Sequence, residues 1–337
     1  MTILPDVRHR STTGNREGQK MRWIRVSLTY VGAIVGAGFA SGQEIYQFFT
    51  RYGPWGMFGI ALAGLLFFGI GWRAMEVGRR RGGGGAGKIS PLAEGVTLGF
   101  LVLGLGVVIT GGGAAIHQLV GLPRWVGAIC SLGLMMVVVF RGVQTVMWVN
   151  TLVVPYLMLS IILVATIYVP RGTFPTREIP WSTHWWALSA SLYVSYNIFT
   201  AILVLFTLGG SLPSRCETGL AALLGATVLT GLALLEHRVL LDLRMVRDLP
   251  LLDTAVRIHP LLGALFGVGL WLALLTTGIA EIFAVVERVG RSRALGLVGV
   301  LPLSFVGFQG MVATLYPLMG GLAVLIWGPL LRLKQDH

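Results

Sequence analysis

Long apolar runs separated by short polar segments dominate this chain. A helix needs about 20 predominantly apolar residues to cross the hydrocarbon core of a bilayer. Ten such runs lie near residues 24–49, 55–77, 94–119, 124–140, 145–169, 184–209, 217–236, 260–288, 292–309 and 311–331. The pattern therefore predicts an all-α integral membrane protein. Its single transmembrane domain covers residues 21–337, after a disordered cytoplasmic tail at residues 1–20.

The composition supports this class. Hydrophobic residues make up 55% of the 337 residues and charged residues only 12%, whereas soluble domains carry about 25% charge. A net charge of +12 would suggest nucleic-acid binding in a soluble protein. Because the basic residues lie between apolar runs, we expect the lipid bilayer as a partner and no nucleic acid. The oligomeric state cannot be predicted from these features.

The distribution of basic residues predicts the orientation. Basic residues concentrate in the cytoplasmic segments of membrane proteins. With the N-terminus in the cytoplasm, 18 of the 26 Lys and Arg residues fall in cytoplasmic segments and 8 in external ones. We therefore expect both termini in the cytoplasm and an even number of spans in the cell membrane. One external segment, residues 237–259, is unusually basic and is predicted to hold a short helix and a loop.

Span one carries the most informative motif. Four glycines fall within the eleven residues from Gly32 to Gly42, and each weakens a helix by about 1 kcal/mol relative to alanine. Glu44 follows inside the same apolar run, where an ionisable group marks a functional site by default. Close helix packing also uses glycines, but packing does not require a carboxylate. We predict a discontinuous helix that lines a ligand site.

Span six holds a second candidate break. Hydroxyl, amide and aromatic side chains cluster from Ser189 to Thr200 inside an apolar stretch. The alternative is an ordinary buried helix whose hydroxyls bond to the preceding turn. Paired interruptions at equivalent places in two halves of a chain are typical of transporter binding sites. Spans one and six begin the halves of a five-plus-five arrangement, with repeats at about 24–169 and 184–331.

Span eight offers oxygen ligands. Thr276 and Thr277 follow Ala273 by one turn, and hard cations bind hydroxyl and carbonyl oxygens. A Thr-Thr pair also occurs as an internal hydrogen-bonding pair. No histidines are spaced as metal ligands, and no nucleophile has a neighbouring His or Asp as catalysis would require. We therefore expect no cofactor and no enzymatic activity, with sodium as a candidate coupling ion.

The segment from Val31 to Ile45, Val-Gly-Ala-Ile-Val-Gly-Ala-Gly-Phe-Ala-Ser-Gly-Gln-Glu-Ile, resembles the signature of YkvI-type bacterial membrane proteins. These proteins look like distant relatives of the amino acid–polyamine–organocation superfamily, which has a LeuT-type inverted repeat with discontinuous helices 1 and 6. The resemblance is specific in span one, moderate in spans six and eight, and looser elsewhere.

The resemblance implies particular site residues. A sodium site shared by many LeuT-type symporters would use carbonyls of span one and a carbonyl and two hydroxyls of span eight. The corresponding residues here are Gly32, Val35, Ala273, Thr276 and Thr277. The substrate would lie at the two breaks. Its predicted contacts are Gly36, Ala37, Gly38 and Phe39 in span one, and Tyr193, Ser195, Tyr196 and Asn197 in span six.

These features predict a sodium-coupled secondary transporter that moves a small organic solute, an amino acid or a related amine, by alternating access. In one alternative, a proton carried by Glu44 or Glu281 replaces sodium. In another, the fold serves a sensor or assembly protein without transport. A channel is a third alternative, but it would show a polar stripe along several helices rather than two local breaks.

Overall fold

The computed structural model describes residues 22–83, 91–141, 144–168, 185–243 and 246–330. Throughout these ranges the regular structure is helical, without a β-strand. The all-α part of the fold prediction is therefore confirmed. The predicted tail at residues 1–20 lies outside the described residues.

Thirteen α-helices follow one another along the described chain, and we number them in chain order. They are α1 (Arg22–Ile34), α2 (Ala37–Ala40), α3 (Gln43–Phe48), α4 (Gly56–Arg80), α5 (Pro91–Val120), α6 (Arg124–Arg141), α7 (Gln144–Ile167), α8 (Trp186–Gly210), α9 (Arg215–Leu241), α10 (Pro250–Ile258), α11 (Pro260–Val289), α12 (Arg291–Ala294) and α13 (Phe308–Leu330). Two 3₁₀ segments, Thr50–Trp55 and Leu295–Phe305, lie between them.

Local sequence signals explain several helix starts. Proline occupies the first turn of α10 and α11, where its missing amide hydrogen is not needed and its fixed φ suits the helix. At the start of α9, the Ser214 hydroxyl accepts a hydrogen bond from the Glu217 amide at 3.2 Å. This N-cap satisfies one of the amides that a helix start leaves without a partner.

The helices pack into one bundle. α4 lies along α8 and α9, α11 lies along α5, and α13 contacts both α8 and α5. Glycines permit the closest approach: a Cβ added at Gly78 of α4 would overlap the Phe206 carbonyl, and one added at Gly209 of α8 would overlap the Met75 carbonyl. Small residues at helix contacts are typical of membrane bundles.

The outer surface of the bundle is apolar. Leu65, Leu152 and Phe305 are 70%, 75% and 80% exposed, respectively. Six described helices are long and apolar enough to cross a membrane, and a pair bent by 114° between Arg291–Phe305 and Phe308–Val324 would make a seventh span. The chain is therefore built as a multi-pass membrane protein.

Ten regular spans are not confirmed. Span one is divided into helices of 13, 4 and 6 residues. Span nine is an 11-residue 3₁₀ helix behind the short α12. Each predicted run does contain helix, but spans one and nine lack a single straight helix long enough to cross a membrane. The LeuT-like inverted repeat remains a prediction.

Span six is a continuous helix, so the predicted discontinuity near Ser195–Asn197 is wrong. α8 runs without interruption from Trp186 to Gly210. The Asn197 side-chain amide donates to the Tyr193 carbonyl at 3.0 Å, and the Thr200 hydroxyl donates to the Asn197 carbonyl at 2.8 Å. Such bonds to the preceding turn satisfy polar side chains without breaking a helix.

Candidate functional site

The predicted discontinuity in span one is present between Ile34 and Ala37. The Gly36 amide donates to the Ile34 carbonyl at 2.9 Å, instead of to the Gly32 carbonyl four residues back. Regular bonding resumes where the Ala40 amide donates to the Gly36 carbonyl at 2.9 Å. The break therefore frees the Gly32 and Val35 carbonyls from backbone amide partners. Freed backbone groups at membrane depth are tolerated where they meet protein or line a cavity.

A second turn separates α2 from α3. Gly42 has φ 80°, in the left-handed region that favours glycine. The Ser41 hydroxyl donates to the Gly38 carbonyl at 2.7 Å and accepts from the Gln43 amide at 3.1 Å. This turn brings the Glu44 side chain back against Gly38. A Cβ added at Gly38 would overlap the Glu44 carboxyl group.

A cavity of about 820 Å³ opens beside the span-one break. Its wall combines the break itself with parts of α3, α5, α7, α8, α11 and α13. Most of the wall is apolar, and aromatic rings form part of it: Phe100 and Phe199 have centroids 4.3 Å apart, and Tyr196 and Tyr316 have centroids 4.7 Å apart. A mainly apolar cavity with a few convergent polar groups is typical of a small-molecule site.

All five residues predicted for the sodium site line this cavity: Gly32, Val35, Ala273, Thr276 and Thr277. The two groups come from α1 with its break and from α11, and α11 contacts α2 directly. The Thr276 hydroxyl donates to the Ala273 carbonyl at 3.0 Å, so the hydroxyl and the carbonyl oxygens lie next to each other. An ion at this site remains a prediction.

The predicted substrate residues divide into two groups. Gly36, Ala37, Gly38, Tyr196 and Asn197 line the cavity. The other three lie elsewhere and serve packing: Phe39, Tyr193 and Ser195.

Phe39 and Tyr193 are each 1% exposed and face a small apolar cleft with Phe49 and Phe67. The Ser195 hydroxyl donates to the Gly320 carbonyl of α13 at 2.8 Å. These three side chains therefore connect span six to its neighbouring helices.

Both predicted proton-carrying residues, Glu44 and Glu281, line the cavity. Each carboxyl group packs against a glycine, Glu44 against Gly38 and Glu281 against Gly104 of α5. In each case the Oε2 atom is buried and has no hydrogen-bond partner among the described residues. Glu44 also lies beside Tyr196 and interacts with it, although the Tyr196 hydroxyl makes no hydrogen bond of normal geometry.

The cavity extends to an exposed residue at one end of the bundle. Arg288 lines the cavity, is exposed, and donates to the Ala284 carbonyl at 2.8 Å. It lies 15 residues beyond Ala273 on α11, or about 22 Å at 1.5 Å per residue. Away from Arg288, the ionisable side chains that line the cavity are carboxyl and phenol groups. A bound cation therefore matches the electrostatics of that part of the cavity better than an anion does.

The helix α10 lies beside the turn in span one and directly precedes α11, at the end of α11 opposite Arg288. The Leu251 amide donates to the Ser41 carbonyl at 3.0 Å, which joins α10 directly to the turn in span one. Asp248 pairs with Arg124 at 2.9 Å, and Asp253 accepts from Gln118 at 2.5 Å. Burial raises the pKa of the Asp253 carboxyl group above its ordinary value. The short helix predicted within residues 237–259 is confirmed as α10, although α9 itself continues to Leu241.

Sequence reasoning missed Tyr316, Arg288 and Glu236. Tyr316 and Arg288 line the cavity. Glu236 is fully buried in α9 and neither carboxyl oxygen has a partner in the described chain. Glu236 is the last residue of the predicted seventh span, so it was taken as a residue at the end of the span. An ionisable group inside a span is a functional candidate, and α9 continues beyond Glu236 to Leu241.

One known protein is clearly similar to this chain, and two others are less similar. No family model matches the chain. The chain is 29% identical over 340 residues to "Uncharacterized membrane protein YkvI" of Bacillus subtilis (strain 168), covering 93% of this chain and 96% of that protein. The chain is similar to YkvI. The resemblance predicted from the motif in span one is thereby confirmed.

Two other likenesses are weaker. "Uncharacterized protein YyaD" of the same Bacillus subtilis strain is 23% identical over 323 residues, covering 89% of this chain and 92% of that protein. Among solved structures, a manganese transporter of Eremococcus coleocola, in complex with an aromatic bis-isothiourea substituted compound, aligns with a TM-score of 0.43 and 13% identity. That alignment covers 94% of this chain and 71% of the other.

Proposed function

We propose that this protein is a secondary transporter of a small organic solute that works by alternating access in the cell membrane. The observation that carries the proposal is the cavity of about 820 Å³ built against a broken membrane helix. Broken helices with freed backbone groups at mid-membrane depth are typical of transporter binding sites. A sensor or assembly protein would not need this cavity, and a channel would need a polar path through the bundle.

In the proposed orientation both termini are cytoplasmic. The basic residues near Arg288 then lie on the cytoplasmic side, as charge bias favours. The cavity therefore opens toward the cytoplasm, and α10 covers the external end. This arrangement corresponds to an inward-facing state of the transport cycle.

We propose an amine-bearing solute, an amino acid or a related amine. Glu44 and Glu281 line the cavity, and a carboxylate forms charge-assisted hydrogen bonds with an ammonium group. The rings of Tyr196 and Tyr316 favour the same charge through cation–π attraction. The backbone around Gly36, Ala37 and Gly38, with Asn197 opposite, would hold the remaining polar part of the solute.

For the coupling ion, we propose sodium between span one and α11. The carbonyl oxygens of Gly32, Val35 and Ala273, with the two threonine hydroxyls, form a neutral set of oxygen ligands of the kind that hard cations bind. An ion held by both segments would link its binding to their relative movement. We propose no catalytic activity, since the described cavity wall offers carboxyl and hydroxyl groups but no nucleophile paired with a histidine.

One observation favours a second candidate, coupling to protons. Glu44 and Glu281 each have a buried carboxyl oxygen without a partner in the described residues. A carboxylate in that setting is costly unless it is paired or protonated. Either residue would therefore carry a proton when no cationic solute is bound.

Thermal unfolding of the purified protein across a solute panel tests the transport proposal. The panel compares amino acids, simple amines, and carboxylic acids without an amine, each in sodium chloride and in potassium chloride. A bound solute stabilises the protein by mass action, so at least one amine should raise Tm in the parent protein.

The matched variants are Glu281→Gln in the cavity and Glu287→Gln on the exposed side of the same helix. Glu281→Gln should reduce the amine-dependent rise, and Glu287→Gln should leave it unchanged. If carboxylic acids without an amine stabilise the protein and amines do not, the proposed substrate class is wrong.

A further inference from the structure

Glu281 is an acid in the cavity wall that lacks a partner. It lies on α11 and lines the cavity, and its Oε2 atom is buried without a hydrogen-bond partner in the described part of the chain. A buried carboxylate is costly unless it is paired or hydrogen-bonded. The groups that surround it therefore indicate which partner the site accepts.

Glycine contacts show how α5 and α11 align. A Cβ added at Gly104 of α5 would overlap the Glu281 carboxyl group. One added at Gly111, two turns further along α5, would lie 2.8 Å from the side chain of Leu274. Residue numbers rise along α5 while those of the contacted residues fall along α11, so the two helices run antiparallel.

Phe100 lies about one turn from Glu281 in this alignment. It precedes Gly104 by four residues, or about 6 Å along the helix axis, and residues four apart lie on the same helix face. Phe100 and Glu281 both line the cavity. Because the helices are antiparallel, Phe100 lies on the side of Glu281 that faces Arg288 and hence the exposed end of the cavity.

Phe100 belongs to an aromatic pair. Its ring centroid lies 4.3 Å from that of Phe199 on α8, with the two rings tilted by 44°. Phe199 also lines the cavity. Aromatic rings pack favourably against further rings in tilted or offset geometry, and the faces of such rings attract cations. An apolar aromatic surface therefore lies directly beside the acid.

We propose that Glu281, Phe100 and Phe199 form a binding site for an arylalkylamine, in which a short alkyl chain joins an amine to an aromatic ring. The ammonium group donates to the Glu281 carboxylate in a charge-assisted hydrogen bond. The ring packs against the two phenylalanines, nearer the exposed end of the cavity. The offset of about 6 Å between acid and aromatic surface suits a chain of two carbons.

The charges around the site select against an amino acid. A carboxylate on the carbon beside the amine would lie next to the Glu281 carboxylate, where like charges repel. Arg288 does not remove this repulsion, because it lies seven residues further along α11, is exposed, and donates to the Ala284 carbonyl at 2.8 Å. Among amine-bearing solutes, the site therefore favours the amine without a carboxylate.

This proposal deepens the proposed function by choosing one class among the amine-bearing solutes, and it rests on that function only for movement across the membrane. Binding is measurable without transport. The two proposals therefore fail separately: one depends on which solutes bind at Glu281, and the other depends on whether a bound solute crosses the membrane.

Isothermal titration calorimetry of the purified protein in detergent tests the ligand class. Phenethylamine should bind about tenfold more tightly than butylamine, because the ring adds contacts with the aromatic pair. Phenylalanine, which adds a carboxylate, and phenylacetate, which lacks the amine, should both bind more weakly than phenethylamine. Each ligand is also titrated into detergent alone, which corrects for partitioning into micelles.

Substitutions at the acid and at the ring test the site. Glu281→Gln should weaken phenethylamine binding by at least about tenfold, because a hydrogen bond to a charged group is lost, whereas Glu287→Gln on the exposed side of α11 should have no effect. Phe100→Leu should weaken phenethylamine binding several-fold and leave butylamine binding unchanged. Phe58→Leu, at a half-exposed ring outside the cavity, is the matched control.

A pair of glycine variants tests the geometry without removing any side chain of the site. The Cβ of Gly104→Ala would displace the Glu281 carboxyl group and should weaken phenethylamine binding. Gly99→Ala lies on the same helix, where an added Cβ would meet nothing within 4 Å, and should bind as the parent does. The Tm of each variant without ligand shows whether it is folded.

Three results would overturn the proposal: no binding of phenethylamine to the parent protein, equal affinities for phenethylamine and butylamine, or unchanged phenethylamine affinity in Glu281→Gln. If another amine raises Tm and phenethylamine does not bind, this inference is wrong and the transport proposal stands. If phenethylamine binds as described but is not exchanged across the membrane of proteoliposomes, the binding site stands and the transport proposal is wrong.

Discussion

Spans one and six were both predicted to be broken, and only span one is. In span one, Gly36 lies in the break between α1 and α2, and Gly42 lies in the turn between α2 and α3. In span six, the polar residues are hydroxyl and amide side chains that bond to carbonyls of their own helix or of α13. A cluster of polar residues is therefore a weaker sign of a break than a cluster of glycines.

The glycines of the two spans also have different surroundings. A Cβ added at Gly36 would meet nothing within 4 Å, because this residue opens on the cavity. One added at Gly209 of span six would overlap the backbone of α4. Span one uses glycine to free the backbone for a site, whereas span six uses glycine to pack a continuous helix against its neighbour.

The largest expected effect separates these two uses. Gly209→Ala should lower the free energy of unfolding by about 2–3 kcal/mol, because overpacking against backbone cannot be relieved by a rotamer change. Gly36→Ala should change it by less than about 0.5 kcal/mol, because φ −101° and the open space suit alanine. Chemical denaturation in detergent measures both. Equal losses in the two variants would contradict the contrast between the spans.

Gly42→Ala should have an intermediate effect. Its φ of 80° costs an alanine about 1–2 kcal/mol, and the added Cβ would also crowd Leu251 of α10. The same denaturation experiment measures the loss, with Gly121→Ala as the control: Gly121 has φ 79°, and a Cβ added there would meet nothing within 4 Å. If both variants lose the same stability, then contact with α10 does not contribute.

The smallest effects are expected within span six. Ser195→Ala removes the hydrogen bond to the Gly320 carbonyl and should cost about 1 kcal/mol. Asn197→Ala removes a bond within the helix and adds a better helix former, so its cost should be close to zero. Circular dichroism during thermal unfolding compares them. A large loss of helix in Asn197→Ala would indicate that α8 depends on this residue for its continuity.

The sequence was sufficient to predict the helical membrane class, the break in span one and the two acids Glu44 and Glu281, because these depend on local composition. It could not predict which side of a helix each residue faces. For example, Phe39 and Tyr193 were predicted to contact the substrate, but they face an apolar cleft instead of the cavity. Glu236 was missed because it is the last residue of the predicted seventh span, and only the structure shows that α9 continues to Leu241. The 3₁₀ conformation of Leu295–Phe305 likewise has no clear signal in its apolar sequence.

The central claim is that the break in span one and α11 together hold the coupling ion. Its most direct test measures the Tm of the purified protein as potassium chloride is replaced by sodium chloride at constant ionic strength. The parent protein should gain stability with sodium, because an ion that binds only the folded state stabilises it. Thr227→Val is the control: this exposed threonine of α9 bonds to its own helix at 2.8 Å, and its variant should respond as the parent does. The double variant Thr276→Val/Thr277→Val keeps the side-chain volume and removes two oxygen ligands, so it should fold and lose the response to sodium. A double variant that still responds to sodium as the parent does would contradict the claim.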